Sequence, residues 1–399
     1  MKIVLLTETY TSQMGYIQTI LPKYLARLGH EVHVVTMPLR PYYQLKDFKE
    51  IYNGFTSEEQ LVPGSITHVY GYTVHVLAAV PQFGYLRMVD LERKLRELQP
   101  NIVQTWAAIG WIPMDAARLS RRLGFNLFTG NHNAMSMSRS TLGLDGAFQK
   151  RMKNLVTRYI PGRLASYRTK RCYAVTSDCA EIAWRYYGVE RDKVEVMHLG
   201  VDTDFFYPRS SLEDLARRSA IRAKLQVSEN EIICIYTGKL DAAKNALILA
   251  QAVQRLRGAG KLYTGLFIGN GPQRDVIATM PHCQVLDFMH FSDLGDYYRA
   301  AEIGVWPTNE STSQLDLAAC GLPLVISDGV VYRDHVEGNG LVTRMGDVED
   351  LVRQLVRLQH PALRQRLGER GASKMREHFS WASVAQRRVN HYEQSCHGA

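Results

Sequence analysis

The chain has 399 residues, of which 46% are hydrophobic and 22% charged, and its formal net charge is +9. This length is more than one compact core usually holds, so we expect two domains. The N-terminal apolar run is too short for a secretory signal, and no run reaches the roughly 18 apolar residues of a membrane span, so the sequence predicts a cytoplasmic protein. Six cysteines without CxxC spacing argue against a zinc or disulfide framework.

The first half of the chain alternates strand and helix patterns. "KIVLLT" at 2–7 is typical of a buried parallel strand, and an apolar helical pattern from Ile17 to Leu28 leads to the strand "EVHVVT" at 31–36. Pro22 lies inside this pattern, so we expect the helix to start late or to kink there. Four further runs predict strands: "NIVQTW", "NLFTGNH", "RCYAVTS" and "KVEVMHLG".

A second series of strands follows "GVDTDFFYP" at 200–208: "IICIYTG", "YTGLFIG", "QVLDFM", "IGVWPT" and "PLVISD". Strand–helix alternation in both halves predicts an α/β fold with two Rossmann-like, doubly wound domains facing a cleft. We expect the first domain to span 1–205 and the second 206–378. A final helix over 379–399, with Ser380 as its N-cap, should pack back toward the first domain.

Ligands of open parallel sheets bind beyond the carboxyl ends of the strands, and two lysines lie at such a point. Lys239 and Lys244 follow the strand "IICIYT", where two ammonium groups beside a helix N-terminus suit a diphosphate. The alternative is a pair of surface lysines. The run "GNGP" at 269–272, which contains Gly271, follows the next strand and favours the diphosphate site.

Two acids and a histidine also follow predicted strands. Glu310 and Asp316, five residues apart in the loop between two strands, either cap the next helix or accept hydrogen bonds from the vicinal hydroxyls of a sugar. Ser311 and Thr312 add hydroxyls and early-turn backbone N–H groups. His132, in "TGNHN", is either structural or catalytic by the same positional argument.

The run "DTD" contains Asp202 and Asp204 and resembles a DxD metal site. Its position beside the aromatic segment "FFYP", at the join between the domains, instead favours carboxylates that cap local turns. Lys239 and Lys244 already supply positive charge for a diphosphate. We therefore predict no metal.

Taken together, these segments resemble the retaining glycosyltransferases of family 4, which have the GT-B fold. The resemblance rests on the order of motifs along the chain: "KIVLLTETY", "LGHEVHVVT", "FTGNHN", "AVTSDCAEIAWRYYGVERDKVEVMHLGVDTDFFYP", "GKLDAAKN", "FIGNGPQRD", "YYRAAEIGVWPT", "LAACGLPLVISD" and "FSW". It implies transfer of a sugar from a nucleotide-diphosphate sugar to a carbohydrate or lipid-linked acceptor, with retained anomeric configuration. It implies no obligatory metal, and no cofactor beside this co-substrate.

The resemblance implies donor binding at several positions. Lys239, where the family usually has Arg, and Lys244, which matches its Lys, would bind the diphosphate. Gly15 remains from a Gly-Gly loop that approaches the phosphate, and Asp316 stands where the family's second Glu binds the ribose. The full predicted donor set is Gly15, Lys239, Lys244, Gly271, Ser311, Thr312 and Asp316.

The resemblance implies two catalytic positions, Glu310 and His132. Glu310 matches the family's first Glu, which faces the transferred sugar, and His132 matches a His near its reacting face. The family normally places seven residues between its two acids, in an E-G-F-G type of run, whereas this chain has five and no glycine. Two alternatives therefore stay open: another GT-B enzyme, such as a sugar epimerase or phosphorylase, and a non-catalytic nucleotide-sugar-binding partner subunit.

A basic stretch lies between positions 150 and 171. It contains eight Lys or Arg and no acid, which fits a solvated helix face, an anionic membrane surface or a nucleic acid. No zinc spacing or helix-turn-helix signature accompanies it, so we predict no nucleic-acid partner. The family's lipid-linked acceptors favour peripheral contact with the inner membrane face, through Lys150, Arg151, Lys153, Arg158, Arg163, Arg168, Lys170 and Arg171.

Overall fold

The structure is a computed structural model that describes residues 1–41, 61–138, 142, 148–308, 310–330 and 333–397. Two mainly parallel sheets dominate it, one in each half of the chain, and they confirm the predicted α/β class with two Rossmann-like units. We call these units the first and second domain. Within the described ranges, no helix is both long enough and apolar enough to span a bilayer.

The first half contains a large sheet and a small hairpin. Its strands are β1 (Lys2–Thr7), β2 (Glu31–Thr36), β3 (Ile66–Val69), β4 (Tyr72–Val76), β5 (Ala79–Gln82), β6 (Tyr85–Met88), β7 (Ile102–Thr105), β8 (Asn126–Asn131), β9 (Thr169–Ala174) and β10 (Val194–Val196). The large sheet has the order β10-β9-β8-β7-β1-β2-β4-β3, and β3 is its antiparallel edge strand. The sequence analysis did not predict β3 to β6.

The large sheet is buried on both faces, which is why its strands read as continuous apolar runs. In β1, for example, Ile3 and Leu5 belong to one core cluster, whereas Val4 and Leu6 belong to another. Helices cover both faces as the chain returns from one parallel strand to the next.

The helices of the first half pack around this sheet. They are α1 (Ile17–Arg27), α2 (Leu91–Leu98), α3 (Trp111–Leu123), α4 (Met135–Ser138), α5 (Phe148–Asn154), α6 (Ile160–Ser166) and α7 (Ser177–Arg185), with a π-helical turn at Leu155–Tyr159 and a 3-10 turn at Arg191–Lys193. The predicted late start of α1 is wrong, because the helix begins at Ile17 and continues through Pro22. The buried ring of Pro22 is part of the packed face of α1, so tertiary packing offsets the missing backbone donor.

The second sheet is entirely parallel and has six strands in the order β13-β12-β11-β14-β15-β16. Five of them match the predicted runs, and β16 is additional. They are β11 (Ile232–Thr237), β12 (Tyr263–Ile268), β13 (Cys283–Leu286), β14 (Ile303–Trp306), β15 (Leu324–Ser327) and β16 (Gly340–Thr343). The helices of the second half are α8 (Leu212–Lys224), α9 (Leu247–Gly258), α10 (Arg274–Ala278), α11 (Phe291–Ala300), α12 (Ser313–Ala319), α13 (Val348–Arg357), α14 (Pro361–His378) and α15 (Trp381–His397).

The chain passes between the domains twice, and the two crossings are hydrogen-bonded to each other. Val201 N donates to Phe379 O at 2.7 Å, and Trp381 N donates to Val201 O at 3.0 Å. Ser383 N donates to Ser380 Oγ at 3.2 Å, which is the predicted N-cap interaction of α15. Helix α15 then packs on the first sheet, where the Arg388 guanidinium lies 4.5 Å from the ring centre of Tyr173.

The first crossing is fixed by a buried ion pair. Lys23 Nζ in α1 lies 2.7 Å from Asp202 Oδ2 and 2.7 Å from Asp204 Oδ2, and the Tyr24 hydroxyl donates to Asp202 Oδ1 at 2.8 Å. Asp204 also binds Arg27 at 2.7 Å. Asp202 does accept a local hydrogen bond from Asp204 N at 3.2 Å. The prediction that these acids only cap local turns is therefore incomplete, since their main partners are cations of α1.

Candidate active site

The two sheets face each other at the points where their strand order reverses. In the first sheet β1 lies between β2 and β7, and in the second β11 lies between β12 and β14. Loops that follow such strands turn to opposite faces of a sheet and leave a crevice at its carboxyl edge. A cleft of about 990 Å³ lies there between the domains. Eight of the nine predicted site residues line it: Gly15, His132, Lys239, Lys244, Glu310, Ser311, Thr312 and Asp316.

The two predicted lysines lie on the turn that follows β11. The Tyr236 hydroxyl donates to Lys239 O at 2.9 Å, and Lys244 N donates to Asp241 Oδ1 at 2.8 Å. Burial lowers the pKa of the Lys244 amine, while the negative charges of Asp241 and Glu310 act in the opposite direction. The turn thus presents two amines to the cleft from a fixed backbone.

Gly271 is the predicted site residue that does not line the cleft, and its role in donor binding stays a prediction. It lies behind the lysine turn, with φ at +149°, and a Cβ atom there would come 2.6 Å from Leu240 O. Gln273 N donates to the same carbonyl at 2.8 Å. Gly271 therefore allows two loops to pack closely and supports the lysine turn from outside the cleft.

The acid loop, residues 310–316, follows β14 and includes the first turn of α12. The helix begins at Ser313. Asp316 projects from its first turn into the cleft, where burial raises the pKa of the carboxyl well above its ordinary value and the nearby charge of Asp202 adds to the shift. Both effects favour the protonated form of the Asp316 carboxyl in the nucleotide-free cleft. Asn309, just before this loop, lies outside the described residues.

His132 follows β8 on the first-domain side of the cleft. Its ring meets the indole of Trp106 edge-to-face, with ring centres 6.2 Å apart. Burial, and secondarily the positive charge of Arg388, lowers the pKa of His132 to about 4. The neighbouring Asn131 donates from Nδ2 to Cys179 O at 2.8 Å and anchors the loop. The imidazole is consequently neutral at physiological pH.

Gly15 lies where the first domain touches the second. Its φ of +61° is a left-handed conformation, and a Cβ atom would come 2.9 Å from the Phe291 ring at the start of α11. A backbone hydrogen bond also joins the two domains here, since Phe291 N donates to Gln13 O at 3.4 Å. Gly15 therefore lets the loop after β1 approach the second domain closely.

The sequence analysis missed two residues on the first-domain side of the cleft. Glu8 and Trp106 directly follow β1 and β7 and line the cleft. Glu8 is half-buried, and burial raises its pKa. The rule that drew attention to Lys239 and Glu310, a polar residue after a strand at the reversal of strand order, would also have found Glu8 in "LLTETY".

The described residues contain no cluster of three or more His, Cys, Asp or Glu side chains arranged to hold a metal ion. The acids of the DxD-like run are bound by Lys23 and Arg27. Asp202 nevertheless lines the cleft, so its negative charge contributes to the electrostatic environment of the site.

Two family models match the chain in succession. The first, described as Glycosyltransferase Family 4, matches residues 21–205, and the second, described as Glycosyl transferases group 1, matches residues 231–360. The chain belongs to the family 4-type glycosyltransferases. Each of the two matched segments contains most of one sheet and contributes one side of the cleft.

Named relatives of this glycosyltransferase share limited identity with it. A D-inositol 3-phosphate glycosyltransferase from Streptomyces bingchenggensis is 29% identical over 258 residues, which are 57% of this chain and 53% of that protein. An alpha-maltose-1-phosphate synthase from Mycobacterium tuberculosis is 24% identical over 238 residues, which are 53% of this chain and 59% of that protein. The chain spans about half the length of these curated relatives.

Solved structures establish the GT-B fold that was predicted. A sucrose-phosphate synthase from Thermosynechococcus elongatus superposes with a TM-score of 0.70 at 16% identity, over 100% of both chains. The Anabaena protein HepE, in complex with UDP, superposes with a TM-score of 0.70 at 15% identity, over 99% of this chain and 100% of that one.

We expect Lys244→Ala to lower kcat/KM for a nucleotide-sugar donor roughly 100-fold, because loss of one charged group at a developing anion costs on the order of 3 kcal/mol. Steady-state kinetics with varied donor would measure this. Lys261→Ala is the matched control, since Lys261 binds Gln359 on the surface of the same domain, away from the cleft. Equal kcat/KM in Lys244→Ala and wild type would remove Lys244 from the site.

We expect Asp316→Asn to stabilise the nucleotide-free protein at neutral pH. The carboxyl has a folded-state pKa above its ordinary value of 3.8, so the folded state binds more protons than the unfolded one and loses stability as pH rises through that interval. Asparagine does not ionise, so the variant does not lose folding stability in this way as the pH rises.

Melting temperatures of wild type and Asp316→Asn between pH 4 and pH 8 would test this expectation. The advantage of the variant should grow with pH, and Asp316→Leu, which does not ionise either, should show the same slope. An advantage that shrinks as pH rises would contradict a raised pKa of Asp316 in the folded protein.

Proposed function

We propose that this protein transfers a sugar from a nucleotide-diphosphate sugar to a carbohydrate or lipid-linked acceptor, with retention of anomeric configuration and without a metal. The observation that carries the proposal is the meeting of two amines, Lys239 and Lys244, with two carboxyls, Glu310 and Asp316, in one interdomain cleft. Amines suit a diphosphate and carboxyls suit sugar hydroxyls, which are the two chemical parts of such a donor.

Departure of the nucleoside diphosphate is the step that the second domain would assist. Negative charge grows on the diphosphate as the glycosidic bond breaks, and Lys239 and Lys244 lie on a backbone turn that needs no rearrangement to face it. Preorganised cations of this kind stabilise a transition state more than a ground state. Partial burial of Lys244 strengthens its interaction with an anion that displaces water.

Asp316 and Glu310 would hold the hydroxyl-bearing parts of the donor. A neutral Asp316 is able to donate one hydrogen bond and accept others, so a ribose diol is a suitable partner. Glu310 lies on the same loop, near Lys244, whose amine it influences electrostatically. We assign Glu310 to the transferred sugar, as the family resemblance implies.

The first domain would bind the acceptor. His132 is neutral at physiological pH and therefore offers one donor and one acceptor nitrogen to a sugar hydroxyl. Trp106 and Glu8 lie on the same side of the cleft. An indole and a half-buried carboxyl are suited to the apolar face and the hydroxyl groups of a carbohydrate acceptor, respectively.

The function is tested in two stages. Thermal-shift screening with UDP, GDP, ADP, dTDP and their hexose conjugates should identify a donor, because a ligand at 100 times its Kd stabilises a protein by about 2.7 kcal/mol. The identified donor is then incubated with carbohydrate and lipid-linked acceptors, and the anomeric configuration of the product is assigned by NMR.

We expect a retained anomer and the same rate in excess EDTA. Inhibition by EDTA that Mg²⁺ or Mn²⁺ reverses would overturn the metal-independent mechanism and return attention to Asp202 and Asp204. An epimerised or phosphorolysed sugar would instead identify one of the other GT-B activities. Nucleotide-sugar binding without turnover on any acceptor would favour a non-catalytic subunit.

The basic stretch has a structural feature that supports contact with a membrane. Helices α5 and α6 and the π turn between them expose large apolar side chains at three- to four-residue intervals, as on one face of a helix. The exposed apolar residues are Phe148, Met152, Leu155, Val156, Tyr159, Ile160, Leu164 and Tyr167. Basic residues flank this apolar stripe, which is the composition of a helix that lies in the interface of an anionic bilayer.

We therefore propose that the 148–171 segment holds the enzyme at an anionic membrane surface. Each Lys or Arg near such a surface contributes about 1 kcal/mol, and burial of the apolar stripe adds to it. Arg163 and Arg171 also contact Glu190 and Glu195, at 3.4 Å and 2.9 Å, so part of the basic charge is compensated within the protein.

Liposome sedimentation would test this contact. We expect binding that requires anionic lipid, fades with salt and falls in the double variant Phe148→Ser, Leu164→Ser. Leu212→Ser is the matched control, because Leu212 is 86% exposed in the second domain. Equal recovery in the supernatant with neutral and anionic vesicles would leave a protein that does not bind membranes.

A further inference from the structure

The acid loop is attached to the rest of the second domain by a buried hydrogen bond. His335 Nε2 and Gln314 Oε1 are 2.7 Å apart, and the two residues are 5% and 0% exposed. An amide oxygen only accepts hydrogen bonds, so His335 carries its proton on Nε2. Burial lowers the pKa of His335 to about 4, which keeps the ring neutral and this proton in place at physiological pH.

Gln314 controls the direction of its neighbours because of its place in α12. Gln314 and Asp316 both lie in the first turn of the helix. Residues two apart point to nearly opposite sides of a helix, so a bond that directs Gln314 into the core also directs Asp316 toward the cleft. Glu310 precedes the same turn, and Gln314 N donates to Ser311 O at 3.2 Å.

His335 is a fixed attachment point. Its turn, 333–339, is bound to helix α14 by Lys374 Nζ, which donates to Asp334 O at 2.8 Å and to Glu337 O at 2.5 Å. Arg333 adds a bond from Nη2 to Asp328 O at 2.6 Å. Helix α14 leads directly into the second interdomain crossing. The hydrogen bond therefore connects the acid loop to a rigid part of the domain.

We propose that Gln314 and His335 are positioning residues for the donor, which hold Glu310 and Asp316 in the orientation that binds the nucleotide sugar. The proposal rests on the proposed function of the cleft. A directional hydrogen bond fixes the rotation of α12, whereas an apolar pair of similar size would fill the same space without selecting one rotation. The acid loop of this chain has five residues between its two acids, whereas the family normally has seven, and it contains no glycine. We infer that the hydrogen bond between Gln314 and His335 restricts the geometry of this loop.

The test separates positioning from stability by a double substitution. Gln314→Met and His335→Leu each remove one side of this buried hydrogen bond, so both single variants should lower the melting temperature. The double variant Gln314→Met, His335→Leu removes both polar groups, and its melting temperature should recover toward wild type. Its affinity for the donor should stay about tenfold weaker than wild type, since the loop is no longer directed.

Affinity is measured by calorimetry with whichever of UDP, GDP, ADP and dTDP binds wild type most tightly, and with its hexose conjugate. Both ligands contain the nucleoside pentose (ribose, or deoxyribose in dTDP) that we assign to Asp316, so the binding of both should weaken. His335→Gln is a conservative variant, because the glutamine amide places an N–H donor close to the position of the histidine Nε2. The nucleotide affinity of this variant should remain within about twofold of wild type.

Tyr263→Phe is the matched control for loss of a buried hydrogen bond. The Tyr263 hydroxyl donates to Leu355 O at 2.9 Å in the same domain, outside the cleft. This variant should lower the melting temperature and leave nucleotide affinity unchanged. If it weakens affinity as much as the double variant does, general destabilisation explains the effect and the proposal is wrong.

Two other outcomes are decisive and distinguishable. Wild-type affinity in the double variant would overturn the positioning role while leaving the proposed function intact. Failure of wild type itself to bind any of these nucleotides or conjugates would overturn the proposed function, and the positioning role with it.

Discussion

The buried ion pair between Lys23 and Asp202 is the interaction on which the arrangement of the two domains depends. It joins α1 of the first domain to the chain where it leaves that domain, and both side chains are less than 5% exposed. Breaking such a pair leaves an uncompensated buried charge, at a cost of about 3–5 kcal/mol. The position of the crossing relative to the first sheet is therefore strongly constrained at the point where the chain enters the second domain.

The Asp202 carboxylate that fixes the crossing also lines the cleft and affects the pKa of a residue there. Its negative charge adds to the effect of burial, which raises the pKa of Asp316, while the amines of Lys239 and Lys244 line the same cleft. The second domain thus presents two amines and a carboxyl to the cleft, where the proposed donor would meet them with its diphosphate and its ribose. On the first domain His132 is held neutral by burial and by Arg388, which arrives on the returning helix α15. Burial of ionisable groups in a cleft such as this one costs the empty protein stability, in return for groups that are already in place for a ligand.

The relation to family 4-type glycosyltransferases accounts for the shared framework, and the resemblance leaves several departures from it. Lys239 stands where the family usually has Arg, Gly15 remains from a Gly-Gly loop, and the acid loop is shorter and ends in Asp instead of Glu. Gln314 in this loop is hydrogen-bonded to His335, which is the contact that we propose positions the loop. Gly271 likewise packs behind a cleft loop, since it supports the turn that carries Lys239 and Lys244 without lining the cleft itself.

The sequence by itself determined the two parallel sheets and the main charged residues of the cleft, because buried parallel strands are apolar runs and ligands bind where those runs end. That rule located Lys239, Lys244, His132, Glu310 and Asp316. Only the tertiary structure decided that Gly271 lies behind its turn, that Gly15 meets Phe291, and that Lys23 pairs with Asp202. These contacts join residues far apart in sequence, and neither local periodicity nor residue type records which distant partner a side chain meets or how deeply both are buried.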